Sequence, residues 1–197
     1  MKKILFLFGT RPEAIKMAPL IEAFSKDIRF QTKVGVTAQH REMLDQVISF
    51  FEIKIDYDLD IMTPNQTLHQ LTSDLISRIT SEILLTDDFD YIFVQGDTTT
   101  VLASALAAFY QKIKIIHIEA GLRSHDMLSP FPEEMNRVLT SKLATIHFCP
   151  TENSKVNLVN ENINQNVYVV GNTVVDALFL GLKKVNASLE EKLLKKI

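Results

Sequence analysis

The sequence predicts an α/β protein built on a doubly wound, mostly parallel, Rossmann-like sheet. Three observations support this fold class. Short apolar runs alternate with longer segments of helical periodicity, the runs are continuously apolar, and no internal repeat or low-complexity linker interrupts them. Continuously apolar runs are typical of strands that are buried on both faces of a parallel sheet. Strand–helix repetition then implies right-handed crossover connections.

Six apolar runs are predicted as strands of a six- or seven-stranded sheet. They are Ile4–Phe8, Lys33–Thr37, Tyr91–Gln95, Lys114–Ile118, Ile146–Cys149 and Val167–Val170. Segments with helical spacing of apolar residues are predicted as helices. They are Glu13–Lys26, Arg41–Phe51, Thr67–Leu85, Thr99–Tyr110, Glu134–Leu143, Glu152–Asn160 and Asn172–Ala187. We interpret the amphipathic residues 189–197 as the start of a further segment.

The composition excludes several classes of protein. The 197 residues are 46% hydrophobic and 23% charged with a net charge of −3, which is typical of a globular protein without the basic stripe of a nucleic-acid binder. No apolar stretch approaches the length of a membrane span, and no signal-peptide pattern begins the chain. The single cysteine, Cys149, is expected to be a buried strand residue. We expect a cytoplasmic protein that binds neither nucleic acid nor membrane.

Ligands of an open parallel sheet bind beyond the carboxyl ends of its strands, so the residues after each run are informative. The first run is followed by Gly9–Glu13, in which Thr10 and Glu13 have capping-box spacing. A helix N-terminus attracts phosphate, and Arg11 and Lys16 add positive charge. These residues alone support a phosphate site and a well-capped turn with two exposed cations equally. No Gly-x-Gly-x-x-Gly or Walker motif is present, which disfavours a dinucleotide or P-loop site.

Acidic residues follow two of the later strands. Asp97 precedes a helix of small residues, where it is either an N-cap or a functional carboxylate. Glu119 directly follows an apolar strand, where a buried carboxylate is costly unless it is partnered. We predict Arg123 as that partner. The placement of Glu119 favours a functional role over a structural one.

A third carboxylate, Glu133, begins another helix. It is either a first-turn acid that pairs with Arg137 at i,i+4 or a member of a shared site, since Asp97 and Glu119 are expected to lie together at one edge of the sheet. Carboxylates in different environments can serve as acid and base, and nearby cations can hold an anionic leaving group such as a diphosphate. The five histidines lack metal-ligand spacing, so no metal site is predicted.

Six segments together resemble the non-hydrolysing UDP-N-acetylglucosamine 2-epimerases, in order and at the spacing of that family. They are Gly9–Pro19, Thr37–Gln46, Gly96–Thr100, His117–Arg123, Pro132–Arg137 and Gly171–Asp176. The match covers nearly the whole chain. The first turn and the Gly96–Thr100 segment favour the non-hydrolysing branch over the hydrolysing one.

The resemblance implies one lobe of a two-lobed, GT-B-like fold with the active site between the lobes. It implies interconversion of UDP-N-acetylglucosamine and UDP-N-acetylmannosamine by elimination and re-addition of UDP, without a cofactor, in a homodimer that supplies precursors of cell-envelope polysaccharide. By motif, Asp97, Glu119 and Glu133 correspond to catalytic carboxylates. Arg11 and Lys16 correspond to substrate-binding cations, and Asp97 and Glu119 also contact the substrate.

The same resemblance implies a domain division. Residues 1–187 correspond to the N-terminal lobe, residues 188–197 to the start of an inter-lobe linker, and the C-terminal nucleotide-binding lobe is expected to be absent. The isolated chain is therefore expected to be inactive. Two alternatives remain, a glycosyltransferase lobe of the same architecture and a lobe that only docks with another chain.

Overall fold

A computed structural model, which describes residues 1–38, 41–63 and 65–184, contains a seven-stranded parallel sheet. Its strands are β1 (Lys2–Phe8), β2 (Phe30–Val36), β3 (Tyr57–Asp58), β4 (Tyr91–Gln95), β5 (Lys114–Ile118), β6 (Ile146–Cys149) and β7 (Val167–Val169). The spatial order is β3-β2-β1-β4-β5-β6-β7. The chain order therefore reverses between β1 and β4, and a doubly wound sheet forms its ligand crevice at such a switch point.

Seven α-helices of the described ranges surround the sheet. They are α1 (Arg11–Ser25), α2 (Arg41–Phe51), α3 (Leu68–Ile79), α4 (Thr99–Tyr110), α5 (Glu133–Leu143), α6 (Glu152–Asn160) and α7 (Val174–Lys184). A π-helical turn, Thr80–Leu84, continues α3. No helix within the described ranges is both long and apolar enough to cross a membrane. The predicted α/β, doubly wound architecture is confirmed.

The hydrophobic core lies on both faces of the sheet. On one face, Leu5 and Leu7 of β1 pack with residues of α3 and α4. On the other face, Ile4, Phe6 and Phe8 pack with residues of α1 and α2. Successive side chains of a strand point to opposite faces, so a strand covered on both sides must be apolar throughout. This burial explains the continuous apolar runs in the sequence.

The predicted bounds of β4, β5, β6, α2, α4 and α6 agree with the structure, and Cys149 is buried as expected. The sequence did not predict β3, which has two residues and pairs only with Gly35 and Val36 at the end of β2. Such a short strand leaves no apolar run to detect. The predicted end of the last helix beyond Lys184, the linker at 188–197, and two residues of the second motif, Gln39 and His40, lie outside the described residues.

The turn after β5 packs closely against α6. Gly121 has a φ of 87°, and a Cβ atom at this position would lie 2.1 Å from the carbonyl oxygen of Ser154. The side-chain amide of Asn157 also donates to the Gly121 carbonyl oxygen at 3.0 Å. Only glycine satisfies both the left-handed backbone and the close approach of α6. Gly121 thereby sets the path of the chain immediately after Glu119.

We predict that Gly121→Ala lowers the free energy of unfolding by about 3 kcal/mol or more, because left-handed strain of about 1–2 kcal/mol adds to an overpacking cost of about 1–3 kcal/mol. Gly171→Ala is the matched control, since Gly171 has a φ of 83° with no atom within 4 Å of the added Cβ. The control should lose only the strain. Equal losses for the two variants in denaturant unfolding would contradict the close contact with α6.

Candidate active site

The turns after β1, β4 and β5 enclose a cavity of about 230 Å³ at the switch point of the sheet. Charged and polar side chains line it, including Thr10, Glu13, Lys16, Asp97, Glu119 and Arg137. The carboxyl ends of neighbouring parallel strands lie at the same edge, which brings these distant residues together. Of the residues predicted for the site, the structure therefore places Lys16, Asp97 and Glu119 around one cavity.

Two side chains, one from α1 and one from the end of β4, hold Glu119 at the end of β5. Its carboxylate forms an ion pair with Lys16 of α1 and accepts a hydrogen bond from the side-chain amide of Gln95 at 2.5 Å. Its φ is 64°, a left-handed conformation that costs a non-glycine residue about 1–3 kcal/mol and that occurs often at functional sites. The surrounding contacts hold the Glu119 carboxylate at the cavity in spite of this strain.

The predicted pairing of Glu119 with Arg123 is wrong. Arg123 is buried and binds Glu161 through Nε at 2.6 Å and Nη2 at 2.9 Å. After Gly121 the chain runs toward α6, so the Arg123 guanidinium lies beside the end of that helix and away from the cavity. The sequence separation of four residues did not reveal the direction of this turn.

Asp97 does not cap a helix. The N-cap of α4 is Thr98, whose hydroxyl accepts a hydrogen bond from the Val101 amide at 3.4 Å. The Asp97 carboxylate lies 3.1 Å from Nη2 of Arg137 and is 29% exposed. Burial raises the pKa of Asp97 above its usual range, the Arg137 charge opposes this, and the negative charges of Glu133 and Glu119 add to it. A carboxyl with a raised pKa is suited to general acid–base chemistry.

Of the two roles considered for Glu133, the side-chain pairing with Arg137 does not occur in the structure. Arg137 contacts the carboxylate of Glu134 through Nε at 3.2 Å and that of Asp97 through Nη2 at 3.1 Å. Its contact with Glu133 is to the main-chain oxygen, which lies 3.4 Å from Nε. The guanidinium thus lies between Glu134 of its own helix and Asp97 of the β4–α4 turn. Glu133 is outside the lining of the cavity as described, although its charge acts on the pKa of Asp97. Arg137 is a site residue that the sequence suggested only as a partner of Glu133.

Arg11 is separated from Lys16. It is exposed and lines an apolar groove of about 510 Å³ between α1, α2 and α7, whereas Lys16 lines the 230 Å³ cavity. Residues five positions apart on an α-helix point roughly 140° apart, so both cations cannot face the same cavity from one helix. The structure therefore brings one of the two predicted cations to the carboxylates.

Glu13 lines the cavity, a position that its capping-box spacing did not indicate. Its side chain is buried at 3% exposure. A capping acid is ordinarily exposed, and the sequence contains no signal that would distinguish a buried one. Within the described ranges, no three His, Cys, Asp or Glu side chains are grouped so that they could hold a metal ion.

The family model for UDP-N-acetylglucosamine 2-epimerase matches residues 22–197. The chain belongs to the UDP-N-acetylglucosamine 2-epimerase family. It is 57% identical to the UDP-N-acetylglucosamine 2-epimerase of Salmonella borreze over 189 residues, which cover 95% of this chain and 50% of that enzyme. This member of the family thus spans about half the length of the curated relatives that it matches.

Two solved structures of family members are similar to this one. The UDP-GlcNAc 2-epimerase of Neisseria meningitidis bound to UDP-GlcNAc aligns with a TM-score of 0.93 and 53% identity, over 99% of this chain and 54% of that chain. The Methanocaldococcus jannaschii enzyme in complex with UDP-GlcNAc and UDP aligns with a TM-score of 0.88 and 38% identity, over 96% of this chain and 52% of that chain. This chain therefore corresponds to about half of each of these two epimerases.

His117 supports the turn that carries Asp97. It is buried in β5, and its Nε2 donates to the carbonyl oxygen of Gly96 at 2.8 Å. Burial lowers the pKa of His117 to about 4 and that of its neighbour His147 to about 4. Both imidazoles therefore stay neutral in the folded protein at pH values where the unfolded chain takes up protons.

We predict that the protein loses stability as the pH falls from about 6.5 to about 4, by about 1 kcal/mol per pH unit for each histidine, because only the unfolded state is protonated there. His117→Gln retains a donor near the Nε2 position. It should lower the number of protons taken up on unfolding by about one, so the slope of stability against pH becomes shallower. His69→Gln is the control, since His69 is exposed. Denaturant midpoints between pH 5.5 and 7.5 measure the difference. An imidazole of His117 that titrates near 6.5 by NMR would contradict the burial.

Proposed function

We propose that this chain is the N-terminal lobe of a non-hydrolysing UDP-N-acetylglucosamine 2-epimerase, which interconverts UDP-N-acetylglucosamine and UDP-N-acetylmannosamine. The observation that carries the proposal is the cavity at the switch point, which Asp97, Glu119 and Lys16 line together. A similar enzyme from Neisseria meningitidis binds UDP-GlcNAc, which supports the same substrate here. The product would serve the synthesis of cell-envelope polysaccharide.

The chemistry requires carboxyl groups and an anion site. In elimination, a base removes the C2 proton while the C1–oxygen bond breaks and UDP leaves with the electron pair. In re-addition, UDP returns to C1 and an acid delivers a proton to the opposite face of C2. Asp97, with its raised pKa, and Glu119, held by Lys16 and Gln95, supply carboxyl groups in different environments. The Lys16 charge stabilises the departing diphosphate.

Glu133 and Arg11 complete the proposed set by family resemblance. The influence of the Glu133 charge on Asp97 supports its assignment as the third catalytic carboxylate. Arg11 lies at the N-terminus of α1 outside the cavity, so we assign it to parts of the substrate that extend beyond the cavity.

The size of the cavity supports a second wall supplied by another lobe. Ligand pockets commonly occupy about 300–1,000 Å³, which is more than the 230 Å³ enclosed here. We propose that residues 1–187 form the N-terminal lobe, that residues 188–197 begin the linker, and that a C-terminal lobe closes over the cavity. In that complete form the enzyme would be a cytoplasmic homodimer.

A lobe that docks with another chain without catalysis is the second candidate. The specific observation that favours it is the exposed apolar surface of α7, to which Val175, Leu178, Phe179 and Leu182 contribute. A second lobe of the same enzyme would also cover this surface. Turnover distinguishes the two candidates, because a docking lobe would leave UDP-N-acetylglucosamine unchanged when its partner is present.

We predict negligible epimerase turnover by the isolated 197-residue chain. Closure that excludes water and orients the reacting groups needs both walls of the cleft. The measurement is conversion of UDP-N-acetylglucosamine to UDP-N-acetylmannosamine by the pure chain, compared with the complete two-lobed enzyme. Rapid conversion by the isolated chain would refute the proposed need for a second lobe.

We predict that Asp97→Asn, Glu119→Gln and Glu133→Gln in the complete enzyme each lower turnover by at least about a hundredfold, the lower end of what a general acid or base contributes. The changes are near-isosteric, so the melting temperature should move little. The assay is solvent deuterium incorporation at C2 during epimerisation.

Glu161→Gln is the matched control for these carboxylate variants. It removes an equally isosteric charge that pairs with Arg123 away from the cavity, so it should leave turnover unchanged. It should lower stability more than the other changes, because the Arg123 side chain that it leaves unpaired is 1% exposed, whereas Lys16 is 23% exposed. If Glu119→Gln exchanged C2 hydrogen at the parental rate, Glu119 would be structural. The same result for Glu133→Gln would reduce that residue to a first-turn acid of α5.

A further inference from the structure

Glu13 joins two of the turns that form the cavity. One carboxylate oxygen, Oε2, accepts hydrogen bonds from the main-chain amides of Gly9 at 2.7 Å and Thr10 at 2.8 Å. The other oxygen, Oε1, accepts a hydrogen bond from the Thr98 hydroxyl at 2.6 Å. A single carboxyl group thus connects the β1–α1 turn to the β4–α4 turn across 85 positions of sequence.

Helix capping does not account for this arrangement. The same capping box occurs at the start of α3, where Gln70 approaches the Thr67 amide at 3.3 Å and both residues are exposed. An uncharged, exposed side chain is therefore sufficient for the box in this protein. At the start of α1 the corresponding residue is an acid that is 3% exposed and bonds to a second turn.

The burial of Glu13 carries an energetic cost that capping alone would not justify. Burial raises the pKa of the Glu13 carboxyl, although hydrogen bonds from Thr98, Gly9 and Thr10 act in the opposite direction. Within the described residues, Glu13 has no ion-pair partner. A buried carboxyl that is compensated only by neutral donors is costly. Capping alone therefore does not explain why an acid occupies this position.

The two turns that Glu13 connects carry the groups of the proposed reaction. Lys16 lies one helical turn after Glu13 on α1 and pairs with Glu119. Asp97 directly precedes Thr98, the residue that donates to Glu13. The distance between the Lys16 ammonium and the Asp97 carboxylate therefore depends on the link between Glu13 and Thr98.

We propose that Glu13 is a positioning residue of this active site, which sets the separation of Lys16 and Asp97 by joining their two turns through Thr98. The proposal rests on the epimerase function proposed above. Glu13 acts through its neighbours, holding the cation for the leaving diphosphate and the carboxylate for proton transfer in one geometry. Small errors in such geometry are costly, because displacement by about 1 Å can reduce a rate by about a hundredfold.

The decisive comparison in the complete enzyme is Glu13→Gln with Glu13→Ala. The glutamine carbonyl can accept from Gly9 and Thr10 while its amide donates to the Thr98 hydroxyl, so kcat should stay close to the parental value. Alanine breaks the link, and kcat should fall by about 10- to 100-fold with a smaller change in KM. If Glu13→Gln were as slow as Glu13→Ala, the carboxyl itself would transfer a proton, and the positioning role would be overturned.

Thr98 supplies an independent pair of variants. Thr98→Val removes the hydroxyl and should lower kcat as Glu13→Ala does. Thr98→Ser keeps the hydroxyl, so kcat should stay close to the parental value. The double variant Glu13→Ala/Thr98→Val should be no slower than the slower single variant, because both break the same link.

Thr151→Val is the matched control for Thr98→Val. Thr151 is also a threonine N-cap, of α6, and it lies outside the cavity lining. It should lose stability and keep kcat. Additive losses in the double variant would overturn the proposal.

Hydrogen exchange in the 197-residue chain tests the link apart from catalysis. The amides of Gly9 and Thr10 should be protected in the parent and in Glu13→Gln, and should lose protection in Glu13→Ala. Unchanged protection in the alanine variant would overturn the proposed link, whatever the activity. If the complete parental enzyme produced no UDP-N-acetylmannosamine while the exchange pattern held, the proposed function would fail and the link between the turns would stand.

Discussion

The position of the Gly96–Thr98 turn is the constraint on which the rest of the candidate site depends. Three elements hold it: His117 of β5 donates to the Gly96 carbonyl oxygen, Asn136 of α5 donates to the Asp97 carbonyl oxygen at 2.9 Å, and Thr98 donates to Glu13 of α1. His117, Asn136 and Glu13 are all buried. Leaving any one of these polar groups unpaired would cost about 1–3 kcal/mol, so the turn is held in one arrangement.

The carboxyl groups around the cavity have different partners. Arg137 lies between the carboxylates of Asp97 and Glu134, Lys16 binds Glu119, and Glu13 is satisfied by neutral donors. Each carboxyl group therefore has a different environment within one small volume. Such differences allow neighbouring acids to take different protonation states, which a reaction that removes and returns a proton requires.

The sequence alone determined the fold class and much of the content of the site. Strands buried on both faces leave continuous apolar runs, so β4, β5 and β6 were located to the residue. Because parallel strands end at a common edge, the residues that follow them, Asp97 and Glu119, were correctly expected to lie together. The positive charge of Lys16 was expected near the same edge, and the structure places it beside Glu119.

Only the tertiary structure decided which charged groups pair. Lys16 and Glu119 are 103 positions apart, and the nearer cation, Arg123, instead binds Glu161 because Gly121 turns the chain toward α6. The burial of Glu13 likewise follows from the β4–α4 turn passing over α1, a contact that no local pattern records. The partner of a long charged side chain depends on the direction of the turn that carries it and on charges from distant segments. Both are set only when the sheet has formed and brings the ends of its strands to one edge.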